Sequence, residues 1–162
     1  MEIPDLELAS TDGSPVSLAR LNGRTVVYAY PMTGQPGVTL PEGWDDIPGA
    51  RGCTPQSCAF RDHHVKLLAA GVGYVFGLST QDTGYQLEAV KRLHLPFPLL
   101  SDAKLDFAHT LRLPSMDVAG RTLLKRMALI IDGGKITQVF YPIFPPDRNA
   151  ADVLGWLKAN PR

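Results

Sequence analysis

Apolar residues along this chain gather in short, nearly continuous runs punctuated by glycine and proline. Thr25-Val26-Val27-Tyr28-Ala29-Tyr30 is β-branched or aromatic almost throughout and stops at Pro31. A run without polar alternation predicts a strand buried on both faces. Gly73–Ser79, carrying Tyr74-Val75-Phe76-Gly77-Leu78, predicts a second such strand, and Phe97–Leu100 a shorter third. Leu6–Leu21 reads as a short strand or hairpin turning at Asp12-Gly13-Ser14-Pro15. Arg126–Ile131 and Lys135–Tyr141 flank Asp132-Gly133-Gly134, a strong hairpin signal. Helices are predicted from Cys53 to Gly71, from Tyr85 to Leu93, from Lys104 to Leu111, and from Asn149 or Ala150 to Lys158. In the first, Phe60, Leu67 and Leu68, with Val65 nearby, form the apolar side. Pro55 is tolerated in its opening turn, where its missing amide has no helical partner, and Thr54 is placed as its cap.

Strands and helices therefore alternate three times before an antiparallel pair and a final helix. That order predicts an α/β fold with a mixed central β-sheet flanked by helices on both faces. A length of 162 residues fits one domain, 1–162, without internal repeats. One stretch falls outside the pattern. Pro31–Gly52 holds five glycines and four prolines around Trp44, Asp45 and Asp46, a loop long enough to suggest a functional role. Trp44 either caps a pocket or anchors that loop.

Charge narrows the partners. Sixteen basic residues balance sixteen acidic ones, which removes the electrostatic footprint of a nucleic-acid binder or of a protein held on anionic lipid. No apolar run nears the roughly 20 residues of a membrane span. Met1–Asp5 is acidic and lacks the basic and apolar regions of a signal peptide, so a soluble cytoplasmic protein is expected.

The two cysteines, Cys53 and Cys58, are too few for a disulfide-rich scaffold and need another explanation. Cys53 falls in the first turn of a predicted helix, where unpaired amides and the positive end of the dipole favour an anion. An ordinary thiol, with a pKa of about 8.5, is only about 3% ionised at pH 7, and helix N-termini and arginines can lower that pKa by units. Five residues of intact helix separate the cysteines by about 7.5 Å of rise and about 140° of rotation. That is beyond disulfide reach, so the two can bond only if the helix start unwinds. Structural and redox readings are both open on these grounds. A metal-binding or metallochaperone reading through Cys53, Cys58 and His63 or His64 is also open, although Cys-x4-Cys-x4-His-His fits no usual zinc spacing. A thioredoxin-type thiol–disulfide reductase is disfavoured because no Cys-x-x-Cys occurs. Arg61-Asp62 reads as a structural ion pair, His63 and His64 as solvated helix residues, and His94 and His109 as structural.

Gly52-Cys53-Thr54-Pro55-Gln56-Ser57-Cys58-Ala59-Phe60-Arg61-Asp62 resembles the active-site segment of the peroxiredoxins, specifically the peroxiredoxin Q or bacterioferritin co-migratory protein group. Tyr28–Pro31 is similar to the strand and proline before that segment, and Arg126–Ile136 to the family's arginine-led strand and turn. The resemblance implies a thioredoxin-like fold and reduction of hydrogen peroxide and organic hydroperoxides by thiol chemistry. It makes Cys53 the peroxidatic cysteine, Cys58 the resolving one and Arg126 the arginine that stabilises thiolate and peroxide. It has Gln56 orient that arginine, Pro31 shield the pocket, and Thr54 join Gln56 and Pro31 in binding substrate. It implies no metal, haem or flavin, recycling by thioredoxin or a similar dithiol, and a monomer or weak dimer. The chain departs from the family at Ala50, where a threonine or serine is usual. A hydroxyl from Thr33 or Thr39, a backbone amide or a water is expected to take its place.

Overall fold

The computed structural model describes residues 1–162. Thr25–Tyr30 lies within and just beyond strand β3 (Arg24–Ala29), all six residues of which are buried. The strand is central in a seven-stranded sheet. Its neighbours are β4 (Val72–Ser79), parallel, and β8 (Met127–Asp132), antiparallel. Beyond β4 come β5 (Leu99–Ser101), β1 (Glu7–Ser10) and β2 (Val16–Ser17); beyond β8 comes β9 (Lys135–Phe140). The order is β2-β1-β5-β4-β3-β8-β9. Only β3–β4 and β4–β5 are parallel, as the crossovers through helices α1 (Cys53–Ala69) and α2 (Thr83–Leu93) require.

Because side chains alternate along a strand, β3 feeds two cores. Val26, Tyr28 and Tyr30 point into a layer closed by α1, α2 and the last helix, α4 (Asn149–Ala159). Val27 and Ala29 point into the opposite layer, closed by α3 (Asp106–Leu111) and Leu18. The mixed sheet with helices on both faces is as the pattern predicts.

Two features differ from the sequence expectations. Val65 and Leu68 are exposed, at 77% and 42%, and do not belong to the buried face of α1. That face runs through Cys53, Gln56, Ser57, Phe60 and Leu67. Leu68 is turned about 100° from Leu67 and Val65 about 200°, while two polar residues occupy the inward positions near the helix start. The second is an unpredicted hairpin of β6 (Ser115–Val118) and β7 (Arg121–Leu124). Its turn residues, Ala119 and Gly120, both have positive φ (52° and 77°), the geometry that asparagine–glycine usually announces. An alanine there carries no such signal. This hairpin supplies Val118 and Leu123 to a small third core with Met32, Trp44 and Ala50. Trp44 therefore anchors the long loop rather than standing over a pocket.

Gly77 on β4 lies against the Tyr28 ring and the Leu99 side chain, where a Cβ would overlap both. Gly77→Ala should cost about 1–3 kcal/mol by overpacking, read as a lower urea midpoint with an unchanged slope.

Candidate thiol active site

Helix α1 starts at a residue with special backbone geometry. Gly52, at φ 103°, turns the chain into the helix, and a Cβ there would run into the ring of Pro146, just before α4. Glycine is required on both counts. Gly52, not Thr54, is the N-cap residue, with no side-chain cap; Thr54 lies inside the first turn and makes no side-chain hydrogen bond there. The Gly52 carbonyl accepts from the Gln56 amide at 2.9 Å. The first-turn amides and the positive end of the helix dipole are thus at Cys53, which is 4% exposed.

The residue immediately before β8 completes the site. Arg126 is 3% exposed, and its Nη2 donates to the Arg51, Gly49 and Ala50 carbonyls at 2.8, 3.2 and 3.3 Å. The same nitrogen lies 3.3 Å from Cys53 Sγ. Its Nη1 donates to Gln56 Oε1 at 2.6 Å, and Gln56 Nε2 donates in turn to Asn149 Oδ1 at 2.9 Å. Burying a cation is costly unless it is paired. Among the partners of this guanidinium, the sulfur alone can take a negative charge.

Thr33 and Thr39 do not replace the missing hydroxyl. Thr33 is held in the loop by Gln81, and Thr39 is exposed. The Ala50 carbonyl, 3.7 Å from Sγ, is what lies against the thiol from that segment. Pro31 is buried where the chain leaves β3. The structure therefore brings Cys53, Gln56 and Arg126 together and leaves Thr54 without a polar role.

Cys58 is half-buried on the continuous helix, and both thiols are free. It packs against the core layer in which Tyr28 and Phe60 stack at 4.4 Å, while the Tyr28 hydroxyl donates to Ser57 Oγ at 3.0 Å. Burial pushes the Tyr28 hydroxyl well above the usual phenol range. Arg61 and Asp62 pair at 2.9 Å. His63 sits 2.9 Å from the Ala59 carbonyl, and His64 lies on Phe97, with burial pushing it below the ordinary imidazole value. No three His, Cys, Asp or Glu side chains converge, so the structure does not assemble the metal set of Cys53, Cys58, His63 and His64.

Residues 1–154 match the redoxin family, and chloroplastic peroxiredoxin Q of Oryza sativa subsp. japonica is 34% identical over 158 residues. The chain belongs to the redoxin family, and peroxiredoxin Q of Sedum lineare, 33% identical with 75% of its length covered, puts it in the peroxiredoxin Q group. The match takes in 96% of this chain and 64% of the rice protein, so the chain spans just under two thirds of that relative's length. Two solved structures share the redoxin fold. Peroxidoxin BcpB from Mycobacterium tuberculosis superposes with a TM-score of 0.79 at 24% identity, covering 100% of this chain and 97% of its own. The bacterioferritin comigratory protein of Xanthomonas campestris, whose structures address its alkyl peroxide reduction activity, gives 0.75 at 21%, covering 98% and 96%.

Sequence reasoning missed Asn149, the Tyr28 hydroxyl and the carbonyls of residues 49–51. Asn149 reads only as the start of a helix, and backbone carbonyls carry no side-chain signature. Asn149→Ala should leave the Gln56 amide without its buried acceptor, which costs about 1–3 kcal/mol, and loosen Arg126. Stopped-flow oxidation of Cys53 by hydrogen peroxide should slow about ten-fold or more, and Asn149→Asp, which keeps the acceptor, should restore most of the rate.

Proposed function

We propose that the protein is a thiol-dependent peroxidase that reduces hydrogen peroxide and organic hydroperoxides. The observation that carries this reading is the buried Arg126 Nη2 standing 3.3 Å from Cys53 Sγ at the start of α1. Membership of the peroxiredoxin Q group and the alkyl peroxide reduction described for the Xanthomonas protein support it.

In the proposed reaction the Cys53 thiolate attacks the terminal oxygen of the hydroperoxide. The sulfur–oxygen bond forms as the oxygen–oxygen bond breaks, and the departing oxygen takes up a proton to leave as water or an alcohol. Cys53 becomes a sulfenic acid. Arg126 and the helix-start amides donate to the peroxide oxygens as charge develops on them. The Cys58 sulfur then attacks Cys53 Sγ, water leaves, and a disulfide forms. An external dithiol, thioredoxin or a similar protein, reduces it by exchange.

Reduced protein mixed with hydrogen peroxide should lose both thiols per chain. Cys53→Ser should abolish peroxide-dependent thiol loss, since an alcohol cannot supply the nucleophile. Arg126→Ala should slow the first step about 10²–10³-fold. A Cys53→Ser protein that still turned over, beside a dead Cys58→Ser protein, would reverse the two roles.

Disulfide formation requires the start of α1 to melt, because five residues of intact helix hold the two sulfurs apart. Hydrogen exchange should therefore show amides from Thr54 to Phe60 losing protection on oxidation. Equal protection in both forms, with the Cys53–Cys58 bond verified by mass spectrometry, would defeat the unwinding step.

A further inference from the structure

A cavity of about 430 Å³ lies apart from the thiol site; neither Cys53, Gln56 nor Arg126 lines it. It sits outside the carboxyl ends of the parallel strands β4 and β5. Thr80, Gln81 and Asp82 follow β4, Ala103 and Leu105 follow β5, and Arg121 of β7 adds to the wall. The crevice beyond such strand ends is where α/β sheets hold ligands, and the volume is that of a ligand cleft. Its polar lining is tied internally, so the cavity is preformed. Thr80 Oγ1 donates to the Thr122 carbonyl at 2.8 Å, and Gln81 bonds Thr33 through both ends of its amide. Leu105 stands at φ 65°, a costly conformation for a bulky side chain and one that recurs beside ligand sites.

Two opposite charges of this wall are left over. Asp82 spends one oxygen on the Tyr85 amide at 2.8 Å and pairs with no cation. The Arg121 guanidinium meets no carboxylate, so the two line one cavity without pairing with each other. Met32 and Leu123, both buried, give the same cavity an apolar surface.

We infer that this cavity binds a small apolar zwitterion, an amino acid or dipeptide. Asp82 takes the ammonium, Arg121 the carboxylate, and Met32 and Leu123 the apolar side chain. A ligand with one charge alone would leave the other residue unmatched, and an uncharged one would meet neither. The site stands independently of the peroxidase reading, because no residue of the thiol chemistry takes part in it. Both charged residues are exposed, so each ion pair contributes up to about five-fold in affinity and weakens with salt.

The test is a titration of the labelled reduced protein, followed by amide chemical shifts at low salt. The probes are leucine and leucyl-leucine, with the N-acetylated and the C-terminally amidated form of each. Both parents should shift residues 80–85 and 121–123, and the tighter one gives the ligand's length. Removing either charge from the probe should weaken binding about five-fold. Asp82→Asn, which keeps a capping side chain on α2, should weaken the parent and the amide about five-fold and leave the acetylated form unchanged. Arg121→Gln should weaken the parent and the acetylated form and leave the amide unchanged. Oxidation of Cys53 by hydrogen peroxide should run at the same rate in both variants. The site is overturned if neither parent binds at millimolar concentration, or if parent, acetylated and amidated probes bind alike. Losses on substitution that ignore which charge the probe carries would overturn it as well.

Discussion

One buried guanidinium organises the site. Arg126 has almost no solvent and no carboxylate partner, so the donors on its two Nη atoms are met by oxygens and a sulfur, while its buried Nε has no partner. Three successive residues, Gly49, Ala50 and Arg51, turn their carbonyls toward one nitrogen of it. That demand fixes how the long loop must close, and Trp44, packed with Met32, Ala50, Val118 and Leu123, holds the closure in place. The loop thus acts as the wall of a charged pocket. Its glycines and prolines supply the turns that such a path needs.

The same contacts set the helix that presents the thiol. Gln56 bridges Arg126 to Asn149, so the start of α1 is tied to the start of α4, and Pro146 fills the space beside Gly52. On the sheet side, Tyr28 holds Ser57 and stacks on Phe60. Each buried hydrogen bond contributes about 1 kcal/mol net, so these ties together contribute a few kcal/mol to the opening turns. In the proposed reaction they position the sulfur for attack on peroxide, and they are also what would have to give way before Cys58 could reach it. The two proposed half-reactions draw on opposite properties of one helix.

The absent hydroxyl shows how far a substitution can move the solution. With Ala50 where the group usually has threonine or serine, no other hydroxyl has been recruited; Thr33 is spent on Gln81. Instead the Ala50 carbonyl faces the thiol and also accepts from Arg126. A carbonyl only accepts, so it meets the thiol and the arginine but supplies no donor in the hydroxyl's stead.

Much of this protein was legible before any coordinates. The six-residue run of β3, the Asp-Gly-Gly turn between β8 and β9, and the alternation of strands and helices express local preferences and the period of the pattern, so they read directly from the chain. Cys53 and Cys58, with Gln56 between them and Arg126 ahead of a strand, were equally readable as candidates, because their spacing and residue types are local facts. The rest depended on what meets across long separations. That Asn149 holds Gln56 across 93 positions, that Val65 and Leu68 face water while Gln56 and Ser57 are buried, and that an Ala-Gly turn closes β6 and β7 follow from packing. So does the set of carbonyls around Arg126. The chain by itself determined which groups are available; the tertiary structure decided their neighbours, because a buried cation recruits whatever oxygens the fold brings within 3.3 Å of it.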